Sequence, residues 1–231
     1  MEEKEKFVKE LPVIKNLKPE EISKIYDKII IEKIGKNKFV FEEGNYCSYI
    51  YFVCAGRVKM LAHSSAGKDF ILRIVSSNDI ISDNNLLFER RSECSYSAKA
   101  LENSIVAKIN VSDFSELLNR KPELYKAYAE VIDSHLTEAY IGLKNMAFEK
   151  VERRIARHLI QFAKNTGEKT DSGVKLGIKL SRQEIANLTG TTIETAIRVM
   201  SKFKKAKVIT EKEGFIHILE RHKLVNIAEE F

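Results

Sequence analysis

The 231-residue chain has no apolar run long enough to cross a bilayer. Its first ten residues, MEEKEKFVKE, are too charged for a signal peptide. Cysteine is scarce, and Cys47, Cys54 and Cys94 form neither an even disulfide framework nor a zinc-binding spacing. These absences set the expectation of a cytoplasmic chain with reduced thiols and no bound metal. No Gly-rich phosphate loop follows any strand-like segment. Groups suited to catalysis are equally thin. Glu20-Glu21 and Glu42-Glu43 are adjacent carboxylates, but neighbours on a strand face opposite ways and cannot share acid–base work. Asp133-Ser134-His135 lies in helical sequence, where residues one apart do not face each other. The chain is therefore expected not to be an enzyme, with His135 flanking a helical seam and hydrogen-bonding there.

A hydrophobic content of 44% supports a real core, and 31% charged residues fit a water-exposed surface. The length suits one large domain or two ordinary ones. Charge is unevenly placed. Residues 1–148 hold 22 Lys/Arg against 22 Asp/Glu, whereas residues 149–231 hold 17 against 11, so the whole excess of +6 lies in the last third. That asymmetry points to a polyanionic partner for one domain only.

The first thirty residues read as helical, with Pro19 in a first turn and Ile22, Ile25, Tyr26 and Ile29 on one side. From Ile34 to about Ile109 the period becomes two. Short runs at Phe39–Phe41, Tyr49–Val53, Val58–Leu61, Phe70–Ile74, Ser95–Leu101 and Ile105–Ile109 alternate with turn signals. Many short strands at this spacing predict a barrel or sandwich. After Lys121-Pro122, Tyr125, Ala129, Ile132, Leu136, Ala139, Leu143 and Met146 recur at steps of four and three. Such a seven-residue repeat predicts a long helix that pairs with its own copy, or one packed on the barrel. A boundary falls near Met146–Glu149, followed by an amphipathic helix (Val151, Ile155, Leu159, Phe162) with Arg153, Arg154 and Arg157 outside it. Asn165–Gly173 reads as a polar loop and Val174–Leu180 as a weak strand.

The most informative stretch is LSRQEIANLTGTTIETAIR, Leu180–Arg198. Ser181 and Glu184 form an S-x-x-E capping box ahead of Ile185 and Leu188. Gly190 allows a left-handed turn, and Thr192 can cap a second helix with Ala196, Val199, Met200 and Phe203 on its apolar side. Two short helices joined by a Gly-containing turn are a helix-turn-helix, although amphipathic pairs also occur as plain packing. Thr192, Glu194, Thr195, Arg198 and Lys202 face outward on adjacent turns. Arg can donate twice to guanine and Glu can accept from cytosine, so Glu194 and Arg198 are the candidate base readers. A plain i,i+4 ion pair between them is the alternative. A hairpin flanking Thr210–Gly214 completes a winged helix, and a short closing helix follows from His222.

With EEGNYCSYIYFVCAGRVKM, SNDIISDNNLLF, KPELYKAYAEVIDSHL and SRQEIANLTGTTIETAIRVMSKFKKAKVI in place, the sequence resembles the Crp/Fnr family of bacterial transcription regulators over essentially its whole length. The resemblance implies an α+β fold: an N-terminal cyclic-nucleotide-binding-type β-roll (a double-stranded β-helix or jelly roll), a long dimerisation helix and a C-terminal winged helix-turn-helix. The domains are expected at 1–121 for effector sensing, 122–148 for dimerisation and 149–231 for DNA binding. The expected function is that of a homodimeric, sequence-specific transcription regulator. The implied partners are a palindromic duplex, a second copy through the seam residues above, RNA polymerase and an unidentified small-molecule effector.

The resemblance also locates departures. The family's Gly-Glu pair that holds the ribose falls on Ser82 and Asp83, and its Arg-Ser pair that holds the cyclic phosphate falls on Cys94 and Ser95. Arg supplies charge-assisted donors, and here that cation is missing, with Arg90 and Arg91 a few residues earlier. The hydroxyl pair of the long helix is replaced by Ala139 and Tyr140. These changes argue against cyclic AMP, and the lack of any cysteine before Cys47 argues against the iron–sulfur cluster of the oxygen-sensing branch. His63 could serve a haem and Cys94 a thiol switch, against the plainer readings of a surface histidine and a core thiol. A self-filled, constitutively active roll and a winged helix used only for protein contacts are the alternatives. The family's Glu and Arg base readers match Glu194 and Arg198. An aliphatic residue at Ile193 implies a TTGA-like half-site, with Ile193 or Ile197 against a thymine methyl. Arg182, Gln183, Thr192, Thr195 and Lys202 are expected at phosphates. By the same resemblance Glu168, Lys169 and Asp171 are expected to meet the polymerase.

Overall fold

A computed structural model describes residues 2–81, 93–171 and 173–229. The chain divides into two compact units, Met1–Glu138 and Ala139–Phe231, with the division inside one long helix. No helix among the described residues is long and apolar enough to cross a membrane.

The first unit opens with helix α1 (Glu2–Glu10), a short 3₁₀ turn (Ile14–Asn16) and α2 (Pro19–Tyr26). Eight strands follow: β1 (Ile30–Ile34), β2 (Phe39–Phe41), β3 (Tyr49–Ala55), β4 (Arg57–His63), β5 (Asp69–Ser76), β6 (Asp79–Ile81), β7 (Ser97–Ala100) and β8 (Ser104–Asn110). They build two four-stranded antiparallel sheets in the orders β1-β8-β3-β6 and β2-β7-β4-β5. Helices α3 (Val111–Arg120) and α4 (Pro122–Phe148) close the order.

Alternation along β3 explains the packing, because successive side chains leave a strand on opposite faces. Tyr51 and Val53 join Val58, Val75, Ile81, Tyr96, Ala98 and Val106 inside the roll. Ile50 and Phe52 join the helices on the other face, with Ile25, Phe114, Leu118, Leu124 and Tyr128. Phe114 stands edge-on to both Phe52 and Tyr128, at ring separations of 6.1 and 5.7 Å.

All six strand segments predicted from the two-residue period are present. The reading omitted β1, β6 and α3. β1 begins inside the unbroken run Ile29-Ile30-Ile31 and does not alternate in burial, while β6 is only three residues long. α3 did carry a signal. Asn110 caps it, its side chain accepting from the Ser112 amide at 3.0 Å, and Phe114, Leu117 and Leu118 share its buried side.

The expectation of reduced thiols is corrected. Cys47 and Cys94 form a disulfide with their Cα atoms 5.3 Å apart, and Cys54 is free. Two main-chain bonds bring the segments together, Cys94 N to Asn45 O at 2.8 Å and Gly44 N to Cys94 O at 3.0 Å. A separation of 47 residues hides such a pair from any spacing rule.

The second unit contains α5 (Val151–Thr166), β9 (Glu168–Thr170), β10 (Gly173–Lys175), α6 (Arg182–Thr189), α7 (Ile193–Lys205), β11 (Ile209–Lys212), β12 (Phe215–Ile218) and α8 (Arg221–Glu229). Its sheet runs β11-β12-β10-β9. The segment read as a polar loop therefore pairs as a β9–β10 hairpin, with Lys175 bonding Glu168 across it at 3.0 Å. The expected Val174–Leu180 strand is confined to β10, and its apolar residues Leu176, Ile178 and Leu180 are buried beyond it.

The arginines placed outside α5 are also corrected. Arg154 donates to Thr189 O at 3.0 Å and Glu149 O at 2.5 Å. Arg157 binds the Glu149 carboxylate at 2.5 Å and Ala228 O at 3.0 Å. They clamp the ends of α6 and α8, whose last carbonyls lack partners within their own helices.

Candidate nucleic-acid interface and effector roll

The helix pair is built as its local sequence dictates. Ser181 Oγ accepts from the Glu184 amide at 3.1 Å, and the Glu184 carboxylate accepts from the Ser181 amide at 2.9 Å. Gly190 takes φ 59° and ψ 45°, ending α6, and the Thr191 amide reaches back to Ala186 O at 3.0 Å. Thr192 then caps α7, accepting from the Thr195 amide at 3.2 Å. Ile185, Ala186 and Leu188 of α6 are buried, as are Ala196, Val199, Met200 and Phe203 of α7.

The opposite face of α7 is open. Glu194 and Arg198 are both exposed, Ile197 is 45% exposed, and Ile193 and Thr195 are half-buried. Among the described residues Arg198 makes no ion pair, so the i,i+4 pair with Glu194 is not formed. The Glu194 carboxyl is held below its ordinary value by the α7 amide it faces and by the Thr192 hydroxyl, which keeps it an anionic acceptor.

The residues expected at phosphates are less free than their sequence suggests. Arg182 is ion-paired to Glu211 of β11, which Lys204 also meets at 3.2 Å. Burial pushes the Glu211 carboxyl up, but Arg182 and Lys204 outweigh it and leave the group below the usual range. Lys202 bonds Glu152 at 2.8 Å, and Gln183 donates to Asn187 at 2.7 Å. The wing turns at Glu213 and Gly214, both at positive φ, which suits a two-residue hairpin. Lys175 and Lys179 stack over the Phe215 ring at 4.5 and 4.6 Å. In the β9–β10 hairpin Glu168, Lys169 and Asp171 are exposed.

Along α4 the predicted seam divides. Leu124 and Tyr128 are buried and Ile132 packs against the helical core of the first unit. Tyr125, Ala129, Leu136, Ala139, Leu143 and Met146 are exposed, Leu143 at 68%. His135 departs from the expectation of a seam hydrogen bond. Its Nε2 donates to Asp79 of β6 at 2.9 Å, and Asp79 also pairs with Arg73 of β5. Arg73 in turn reaches Glu138 at 3.2 Å, so strand and helix share one ionic cluster. Burial raises the Asp79 carboxyl, yet the His135 hydrogen bond and the Arg73 charge hold it below its ordinary value.

Of the residues expected around an effector, Ser82 and Asp83 lie outside the described residues, as do Arg90 and Arg91. Cys94 is buried in its disulfide, Ser95 is exposed, and Ala139 and Tyr140 stand exposed on α4. His63 has both ring nitrogens engaged, by Asp69 at 2.8 Å and Ser97 at 3.1 Å. Among the described residues no group of three or more His, Cys, Asp or Glu is placed to hold a metal. The inner face of the roll is aromatic. Phe41 lies 5.1 Å from Tyr51 and 5.7 Å from Tyr96, and burial pushes the Tyr51 phenol up to about 12. Lys108 sits 4.8 Å over the Tyr49 ring and pairs with Glu32 at 2.5 Å. Sequence reasoning missed this Lys108–Glu32 pair, which joins two strands far apart in the chain.

Residues 31–121 match the model of the cyclic nucleotide-binding domain, and residues 153–227 that of the Crp-like helix-turn-helix domain. The chain is 24% identical over 217 residues to the cyclic AMP receptor protein of Thermus thermophilus, covering 94% of this chain and 96% of that one. The chain belongs to the Crp/Fnr family. This Crp/Fnr regulator is also 23% identical over 202 residues to the global nitrogen regulator of Nostoc sp., covering 87% and 89% of the two chains. Its fold is shared by the c-di-GMP-responsive global regulator CLP of Xanthomonas campestris, with a TM-score of 0.76 at 19% identity over 87% of this chain and 99% of that one. The regulator thus combines a DNA-binding helix-turn-helix with an effector-binding domain, and its relatives are transcription regulators rather than enzymes.

Proposed function

We propose that this regulator is a cytoplasmic homodimer that reads a TTGA-like palindrome and responds through its roll to a small molecule other than cyclic AMP. The observation that carries the reading is the open α7 face, where Glu194 and Arg198 are exposed and unpaired with each other at the N-terminal half of a well-capped helix. Arg198 donates to guanine O6 and N7, Glu194 accepts from cytosine N4, and Ile193 or Ile197 meets a thymine methyl. Arg182, Gln183, Thr192, Thr195 and Lys202 bind phosphates and set the register. We take residues 1–121 as the sensing domain, 122–148 as the dimerisation helix and 149–231 as the DNA-binding domain. Leu136, Ala139, Leu143 and Met146, exposed on α4, meet their copies across a two-fold axis. That axis makes the operator palindromic, with half-sites about one helical turn apart.

The effector reading rests on the position of Cys94, where the family's phosphate-binding cation is replaced, and on the aromatic inner face of the roll. Glu168, Lys169 and Asp171 of the β9–β10 hairpin form the polymerase contact. Selection from random duplexes tests the core of the proposal. Wild type is expected to enrich a TTGA-like palindrome, and Glu194→Ala and Arg198→Ala to lose the preference at one base pair each. Recovery of no palindrome, or of one indifferent to both changes, overturns it. Calorimetric titration with cyclic AMP is expected to give no saturable heat.

A further inference from the structure

We infer that the Cys47–Cys94 pair is a reversible thiol–disulfide site through which the redox state of the surroundings sets the conformation of the effector roll. The inference deepens the proposed function, on which it rests, by assigning a regulation to the same wall of the roll.

Two observations carry it. The pair is spatially specific, with Cα atoms 5.3 Å apart, inside the range a disulfide needs without moving the backbone. In addition, the segments are already held together by the Cys94–Asn45 and Gly44–Cys94 main-chain bonds and by the Tyr46–Glu93 bridge. The two sulfurs therefore stay close when the bond is broken, and re-forming it does not require folding anew. What the bond adds is a covalent tie between the β2–β3 connection and the lead into β7. Just beyond it, Ser97 Oγ accepts from the Glu43 amide at 2.9 Å and contacts His63 of β4.

The chemistry balances without a cofactor. A thiolate of a dithiol reductant attacks Cys47 Sγ, the more accessible sulfur, since Cys94 is only 3% exposed. The Cys47–Cys94 bond breaks, Cys94 leaves as a thiolate and takes up a proton. The second thiol of the reductant then displaces Cys47, leaving the reductant as a disulfide and the protein with two thiols. A low-molecular-weight disulfide reverses both steps. Cys54 takes no part. Burial raises its thiol to about 11, so it carries almost no thiolate at neutral pH.

The test uses the full chain, equilibrated with dithiothreitol or with oxidised glutathione. Thiol counting under denaturing conditions is expected to give three free thiols in the first and one in the second. Hydrogen exchange is expected to be faster at the Gly44 and Cys94 amides after reduction. Affinity for the selected palindrome is expected to differ between the two states by roughly fivefold or more. Cys47→Ser is expected to abolish that difference and Cys54→Ser to preserve it. Because wild type alone supplies both states, a misfolded variant does not spoil the measurement. Three thiols after oxidation, or equal tight binding in both states, overturns the switch alone. Binding of no duplex in either state overturns the DNA-reading proposal and the switch with it.

Discussion

In the roll, charged side chains are paired across strands and helices. Glu32 meets Lys108, Arg57 meets Glu102 at 2.9 Å, and Arg73, Asp79, His135 and Glu138 form one cluster between β5, β6 and α4. The winged helix carries the whole excess of positive charge, and several of its cations rest on carboxylates of neighbouring elements: Arg182 and Lys204 on Glu211, Lys202 on Glu152. The difference is one of exchangeability. Partly buried pairs that bridge elements hold a shape, and removing one partner leaves the other charge uncompensated. Exposed ends such as Lys202 and Lys204 contribute little and can trade a carboxylate for a phosphate, whereas Arg182–Glu211 is as enclosed as the pairs of the roll. Arg198 is exposed and, among the described residues, has no ion partner.

The largest expected effect lies where the two units meet in sequence, on α4. Leu143→Glu places a carboxylate where a second copy would bring its like, at a cost of about 3–5 kcal/mol to the dimer. Light scattering at micromolar concentration is expected to find a dimer for wild type and a monomer for the variant. A monomeric wild type removes the seam altogether.

Phe203→Ala sharpens the division between the units. Phe203 is 1% exposed, and its truncation is expected to destabilise the winged helix by about 3–5 kcal/mol. Calorimetry is expected to show the transition of the second unit moving down while that of the first stays. A single transition that shifts as a whole would show the units to be one cooperative body.

Acid should separate them next. The His158 imidazole is driven down to about 4 by burial, helped by the charges of Arg154 and Arg157, against an unfolded value near 6.5. The folded value is the lower, so the unfolded chain binds more protons as pH falls. Stability present above pH 6.5 is lost through the window from 6.5 to 4, by roughly 2–3 kcal/mol at its lower end. His158→Gln is expected to flatten that part of the pH profile of the winged-helix melt. An unchanged profile refutes the assignment.

Arg198→Ala is expected to cost roughly 1–3 kcal/mol per half-site and to relax preference at one base pair. Binding to duplexes varied at each position is the measurement, and a uniform loss across sequences would make Arg198 a phosphate contact instead. The smallest effect tests exchangeability directly. Glu211→Gln frees Arg182 and Lys204 from competition, and affinity for all duplexes alike is expected to rise by about two- to threefold. Unchanged affinity, measured by anisotropy at low salt, would mean the two cations remain at Glu211 in the complex.

What the sequence determined by itself is what can be settled within about four residues. The Ser181–Glu184 box, the left-handed Gly190, the Thr192 cap and the apolar stripe of α7 each depend on local hydrogen bonds and on the 3.6-residue period. The same holds for the strand alternation of β3 and the seven-residue repeat of α4. Tertiary structure decided everything that needs distant residues to meet. Ile34 pairs with Ser104, Cys47 with Cys94, and His135 turns to Asp79 rather than to a seam. Arg154 and Arg157 look solvent-facing from their helical period, yet they clamp Thr189 and Ala228 because those carbonyls end helices that have no internal donors left. Arg182 reads as a free cation in its helix but is held by a strand 29 residues away. A side chain's own neighbours in the chain fix its direction, whereas its partner is fixed only when the fold brings a complementary group within reach.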